Sequence, residues 1–87
     1  IYLGQYANVH INNTYIIDNE LDNYHGVATG GGIHNFYGKL YINDSFINGN
    51  KLNDLNAALS RDGAGIYTGG TGASTIINNT AIFNEQI

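Results

Sequence analysis

One motif is written three times along this chain, and that repetition constrains the fold more than any other property. The segment Val9 to Leu21 (VHINNTYIIDNEL) returns without a gap as Leu40 to Leu52 (LYINDSFINGNKL) and again as Thr75 to Ile87 (TIINNTAIFNEQI). A second block, Gly30-Gly31-Gly32-Ile33-His34, recurs as Gly63-Ala64-Gly65-Ile66-Tyr67. The shifts are about 31 to 35 residues, a length that marks a solenoid or array in which each unit buries its apolar face against its neighbours.

Residue type decides between helical and β units. Helix-pair repeats need long 3.6-period faces of Ala, Leu, Glu and Lys. Here the apolar runs are short, rich in Ile, Tyr and Val, and bounded by Asn, Asp and Gly, the pattern of strands separated by turns. Three strands per repeat are expected, at Ile33 to Asn35, Leu40 to Ile42 and Phe46 to Asn48, with equivalents one period away. Alternation turns Leu40 and Ile42 inward and Tyr41 outward, and likewise Val9 and Ile11 against His10.

The inward residues align by type. Ile1, Ile33 and Ile66 form one column, Ile11, Ile42 and Ile77 a second, and Ile16, Ile47 and Ile82 a third. Polar residues between the strands align too: Thr14, Ser45 and Thr80 in one row, Asn19 and Asn50 in another. Rows repeating at a strand spacing of about 4.8 Å can hydrogen-bond along themselves and satisfy backbone at the corners. The glycines before Ile33 and Ile66 supply a positive φ or a close approach at a third corner. The expected fold is therefore all-β: a right-handed parallel β-helix, or solenoid, of about 2.7 coils of roughly 31–35 residues. Its single segment, 1–87, divides into coils at approximately 1–32, 33–65 and 66–87, with edge loops at Glu20 to Thr29 and Lys51 to Asp62. Leucines in the second loop, Leu52 to Leu59, are spaced for one or two helical turns that cap the coil edge.

The glycine tetrads Gly30-Gly31-Gly32-Ile33 and Gly63-Ala64-Gly65-Ile66, with the tetrapeptides Ile16 to Asn19 and Ile47 to Asn50, resemble the repeats of polymorphic outer membrane proteins and related adhesin-like right-handed β-helices. Gly replaces Ala, Ile replaces Phe, and Glu85 stands where a third Asn would be. The resemblance covers essentially the whole chain and is specific to a repeat type. It implies a secreted or surface-displayed β-helix used for adhesion or surface structure, and it brings no catalytic residues.

Without an initiator Met, signal peptide, capping helix or transmembrane run, the chain reads as a segment of a longer solenoid. Neighbouring coils of the same protein, or end-to-end self-association, would then cover its open ends. Seven acidic against three basic residues, with no basic stripe, argue against nucleic acid and against an anionic membrane surface.

Chemical motifs are sparse. Gly69 to Ile77 imitates a calcium-binding nonapeptide, but Ser74 stands where the ligand Asp belongs. The triple glycine opens no amphipathic helix and lacks a following Lys-Ser/Thr, so it reads as a turn and not a phosphate cradle. His10, His25 and His34 share no metal-ligand spacing. Asp18, Asp22, Asp44, Asp54 and Asp62 lie at corners or in loops, and Arg61 and Asp62 diverge in any extended segment. No pair suits glycoside chemistry. No catalytic, cofactor-binding or metal residue is assigned, and the chain is read as a non-enzyme.

Asn12-Asn13-Thr14, Asn43-Asp44-Ser45 and Asn78-Asn79-Thr80 are sequons at one position of each coil, making Asn12, Asn43 and Asn78 candidate N-glycosylation sites. Corner chemistry calls for the same residue types, and glycans on every coil would crowd. The candidate contact surface is the outward row Tyr2, His34 and Tyr67 with His10 and Tyr41, whose aromatic faces suit host or matrix glycans. The expected function is a rigid, multivalent structural or adhesive stalk of an extracellular surface or filament protein. The alternative is a carbohydrate-active β-helix enzyme or phage tailspike-like segment.

Overall fold

The computed structural model describes residues 1–23, 27–54 and 60–86. Among these the chain is all-β, with no helix. The first repeat carries β1 (Tyr2–Leu3), β2 (Asn8–Asn12), β3 (Tyr15–Ile17), β4 (Glu20–Asn23) and β5 (Val27–Thr29). The second carries β6 (Ile33–Phe36), β7 (Lys39–Asn43), β8 (Phe46–Asn48), β9 (Lys51–Asp54) and β10 (Ser60–Asp62). The third carries β11 (Ile66–Gly69), β12 (Ser74–Asn78) and β13 (Ala81–Phe83).

Every sheet is parallel and takes one strand from each repeat it contains. The orders are β1-β6-β11, β2-β7-β12, β3-β8-β13, β4-β9 and β5-β10. The Ile columns are in register: Ile42 pairs with Ile11 and Ile77, Ile47 with Ile16 and Ile82, and Ile33 with Ile66. Ile1 joins the last column through hydrogen bonds on both sides of Ile33, its ammonium donating to Gly32 O at 2.8 Å and its carbonyl accepting from His34 N at 2.7 Å.

Burial is greatest in the middle repeat and least in the third, with Leu3, Ile11 and Ile16 of the first repeat also buried. In the middle repeat Ile33, Leu40, Ile42 and Ile47 are fully buried, whereas Ile77 and Ile82 of the third repeat are each 42% exposed and Ile1 is 59% exposed. At roughly 1.5–3 kcal/mol for a fully buried side chain, the middle repeat collects most of the apolar stabilisation. The columns are thus aligned as expected but unequal in depth.

Two expectations are corrected. The segments read as edge loops contain the paired strands β4–β9 and β5–β10, so the first two repeats have five strands each where three were expected. Over Leu52 to Asp54 the expected helical turn gives way, because Lys51–Asp54 is strand, with Leu52 buried and paired to Leu21. An apolar partner directly alongside outweighs a weak helical spacing. Residues 55–59 of that stretch lie outside the described residues.

The corners are made by residues in the left-handed region. Asn13, Asp44 and Asn79 (φ 52, 52 and 47°) turn the chain after the second strand of each repeat, and Asp18, Gly49 and Asn84 (φ 53, 70 and 55°) after the third. Asn, Asp and Gly tolerate this conformation best. Gly30 and Gly63 (φ 71 and 66°) serve the glycine corner, as expected. Both Asn-type corners have the same length in all three repeats. Asn13-Thr14, Asp44-Ser45 and Asn79-Thr80 span one, and Asp18-Asn19, Gly49-Asn50 and Asn84-Glu85 the other. Elsewhere lengths differ. Asn23 pairs with Asp54 and Val27 with Ser60, so that link lengthens in the second repeat. Phe36 pairs with Gly69 but Lys39 with Ser74, so another lengthens in the third.

Inside the fixed corners, the hydroxyl row bonds along itself. Ser45 Oγ accepts from Thr14 N at 3.1 Å, and Thr80 Oγ1 accepts from Ser45 N at 3.3 Å. One polar element of the core went unforeseen. Asn35, fully buried beside Leu3 and Thr68, donates to Ser74 O at 2.9 Å and accepts from Gly38 N at 2.9 Å, closing the turn that follows β6.

Candidate functional site

The outward aromatic residues form two rows on two sheets. On β1-β6-β11, His34 lies edge-on between Tyr2 and Tyr67, with ring centroids 5.1 Å apart on each side and interplanar angles of 71 and 80°. Phe36 approaches the same imidazole at 5.8 Å. On β2-β7-β12, His10 and Tyr41 stack nearly parallel at 4.6 Å and 10°, and the third member of that row is Ile76. Register alone produces both rows, because parallel pairing puts equivalent residues side by side.

His34 is the most constrained of these rings. Its Nδ1 lies 3.0 Å from Thr29 Oγ1, while its Nε2 is buried with no hydrogen-bond partner. Burial, and secondarily the Ile1 ammonium, hold it below the ordinary imidazole range. It is therefore a neutral ring near pH 7, suited to packing and hydrogen bonding and not to binding anions. Thr29, His34, Phe36 and Tyr67 line a groove of about 290 Å³.

A further surface was missed from the sequence. The outer face of β3-β8-β13 carries Tyr15, Ile17, Phe46, Asn48 and Phe83 around an apolar groove of about 270 Å³. Tyr15 and Phe46 meet edge-on at 5.2 Å and 72°. The signal was available, since Tyr15 and Ile17 flank inward Ile16, Phe46 precedes inward Ile47, and Phe83 follows inward Ile82. The corner tyrosines Tyr6 and Tyr37, both at positive φ, had no sequence signal at all.

The sequon asparagines form a ladder. Asn43 Nδ2 donates to Asn12 Oδ1 at 3.0 Å, and Asn78 Nδ2 donates to Asn43 Oδ1 at 3.1 Å. The sequon hydroxyls turn back onto the same residues: Thr14, Ser45 and Thr80 donate to the carbonyls of Asn12, Asn43 and Asn78 at 2.8, 2.8 and 2.9 Å. The side-chain nitrogen that a glycan would occupy is thus engaged in the ladder at Asn43 and Asn78.

The carboxylates are dispersed. Asp18 and Asp44 sit at different corners, and Asp22 accepts from Asn53 Nδ2 at 3.0 Å, as does Glu20 at closer range. The side chains of Asp54, Arg61 and Asp62 lie outside the described set, as does His25. Glu85 accepts from Asn50 N at 3.0 Å and from Asn50 Nδ2 at 3.3 Å. Burial raises its pKa, against the lowering effect of those Asn50 bonds. Among the described residues no three His, Cys, Asp or Glu side chains come together in a way that could hold a metal ion, and no helix is long and apolar enough to cross a membrane. Within the Gly69 to Ile77 stretch only Gly70 to Ala73 form a turn, with Gly70 and Gly72 at φ 91 and 82°, while Gly69 ends β11 and Ser74 to Ile77 belong to β12.

Comparison with protein-family models, with curated proteins and with solved structures finds no match to this chain.

Proposed function

We propose that the chain is a segment of a right-handed parallel β-helix that serves an extracellular surface or filament protein as a stiff, multivalent contact surface. The observation that carries this reading is the pairing of repeats in parallel register. It places Tyr2, His34 and Tyr67 in one outward row and His10 and Tyr41 in another, at one strand spacing. The likeness of the glycine and Ile-x-x-Asn tetrapeptides to adhesin-like repeats points the same way. So does a chain with only 11% charged residues.

The mechanism is additive. Each aromatic contact with a sugar or protein face is weak, but a rigid rod presents several at fixed spacing, so a second contact forms at high effective concentration. The ladders and Ile columns supply the stiffness and the outward rings the contacts.

Beads carrying the chain at graded density, applied to surfaces coated with glycans or matrix protein, test the proposal. Retention should rise more steeply than linearly with density, and replacing Tyr2, Tyr41 and Tyr67 together by Ser should flatten it. Retention that is linear in density and indifferent to these residues would defeat the contact role. Release of reducing sugar or unsaturated product from a polysaccharide panel would instead establish the enzyme reading.

A further inference from the structure

The corner between the first and second strands of each repeat is built unlike the others. Tyr6 stands two residues before Asn8 and Tyr37 two before its partner Lys39, while Gly70 follows Gly69, the partner of Phe36; their φ values are 67, 74 and 91°. Every other non-glycine residue at positive φ among the described residues is Asn or Asp, whose short polar side chains tolerate the left-handed region. A bulky residue there is an outlier, at a cost of roughly 1–2 kcal/mol.

Packing does not account for Tyr6. Tyr6 is 89% exposed and Tyr37 38% exposed. Tyr37 leans on Phe36, with ring centroids 4.2 Å apart, and lies over Gly70, where a Cβ atom would fall 2.5 Å from the ring. Glycine in the third repeat thus leaves room for the second repeat's ring. Two strained tyrosines at equivalent positions, held out of the core, are the kind of outlier that marks a working surface.

Beside them is a groove of about 350 Å³, lined also by Gln5, Asn8, Lys39 and Thr71. That volume lies at the low end of small-molecule sites, roughly 300–1,000 Å³. Among the described residues, Lys39 is the only charged residue lining it. On a chain of net charge −4, it is a point of positive charge.

We infer that this corner binds a saccharide bearing a carboxylate. The Tyr6 and Tyr37 rings receive the C–H face of the pyranose, the Lys39 ammonium pairs with the carboxylate, and the Gln5 and Asn8 carboxamides and the Thr71 hydroxyl bond ring hydroxyls. The ring faces explain why tyrosine is kept in a conformation that suits Asn better, and the lysine distinguishes an acidic sugar from a neutral one. The inference rests on the reading of the chain as a contact-making segment and adds a ligand class at a corner outside the two aromatic rows.

Titration of the full chain, followed by NMR chemical shifts, tests it. The acidic probes are 3′-sialyllactose and a hyaluronan tetrasaccharide, which separate a sialic from a uronic source; lactose and chitotetraose are the neutral counterparts. At least one acidic probe should bind, shifting the Tyr6, Tyr37 and Lys39 resonances, and roughly fivefold more tightly than its neutral counterpart. Lys39→Gln should erase that preference. Tyr6→Asn should weaken binding by roughly fivefold through loss of the ring. It should also raise the melting temperature, because Asn relieves the backbone, so weaker binding cannot be misfolding. Failure of both acidic probes to bind, equal binding of neutral sugars, or indifference to Lys39→Gln would overturn the inference. If Tyr67→Ser abolished binding while Lys39→Gln did not, this inference would fall and the aromatic rows would stand as the contact surface.

Discussion

The backbone N–H of Asn19 and its side-chain Nδ2 both donate to one acceptor, the carboxamide oxygen of Asn50, at 3.0 and 2.9 Å. Asn50 is fully buried and uses its own Nδ2 on Ile16 O at 3.0 Å and on Glu85 Oε1 at 3.3 Å. One side chain thereby joins all three repeats at a corner. Glu85, which departs from the Asn pattern, still offers Asn50 the acceptors that the site requires.

Asn50→Ala should therefore be among the most damaging polar substitutions. It removes the acceptor of the Asn19 amide and a donor to the Ile16 carbonyl at a buried corner, at about 1–3 kcal/mol in all. Thermal unfolding should shift down by on the order of 10 °C. Asn12→Ala, at an exposed ladder position, should stay within about 0.5 kcal/mol. Equal effects from the two would show that the corner does not depend on Asn50.

The core makes a sharper contrast between adjacent residues. Ile42→Asn puts an amide without partners at the centre of a closed column and should destabilise by about 3 kcal/mol or more. Tyr41→Asn loses chiefly the stack on His10, about 0.5–1.5 kcal/mol. Comparable denaturation midpoints for the two variants would refute the inward and outward assignment.

Ser45 separates corner chemistry from glycosylation. Buried in the middle repeat, it accepts from Thr14 N and donates to Asn43 O. In protein made without glycosylation machinery, Ser45→Ala should still lower stability by about 1–2 kcal/mol. No loss would mean that the hydroxyl is there for the sequon. Intact mass of native material addresses the modification directly, with unmodified Asn43 and Asn78 expected from the engagement of both in the ladder.

Stability should also depend on pH through His34. Burial lowers its pKa, so between that value and about 6.5 the unfolded chain binds more protons than the folded one. Its contribution is complete above about pH 6.5 and falls as acidification protonates it. Glu85 acts in the opposite sense: its pKa is raised, so protonation on acidification relieves a buried charge. Melting curves from pH 7.5 down to 5 should fall for the parent chain and fall less for His34→Asn. Identical profiles would remove His34 as the source.

What was legible in the sequence was whatever repeats with the same shape. Ile11, Ile42 and Ile77, like Thr14, Ser45 and Thr80, announce themselves because stacking requires each repeat to present the same surface to the next. Strands β4 and β5 were not legible. Their residues are polar or dissimilar between repeats, and pairing there is a consequence of neighbouring strands already being in register. Asn35 was hidden for another reason: it faces inward between Leu3 and Thr68, and its hydrogen bonds come from a turn that only folding brings near. The Tyr6 and Tyr37 corner was least readable of all, since what distinguishes it lies in the backbone and tyrosine carries no preference for positive φ.

The fixed length of the Asn-lined corners means that position along the chain is corrected twice in every circuit. An insertion elsewhere, such as the longer link between Gly69 and Ser74, is absorbed before the next pair of corners, and Asn78 still meets Asn43. Sequence drift is therefore quarantined in particular links, and the rest of the layer does not register it. The link holding Gly70 to Ala73 borders the proposed saccharide groove, so the molecule can vary its most exposed recognition surface by length as well as by substitution while the stack stays in step.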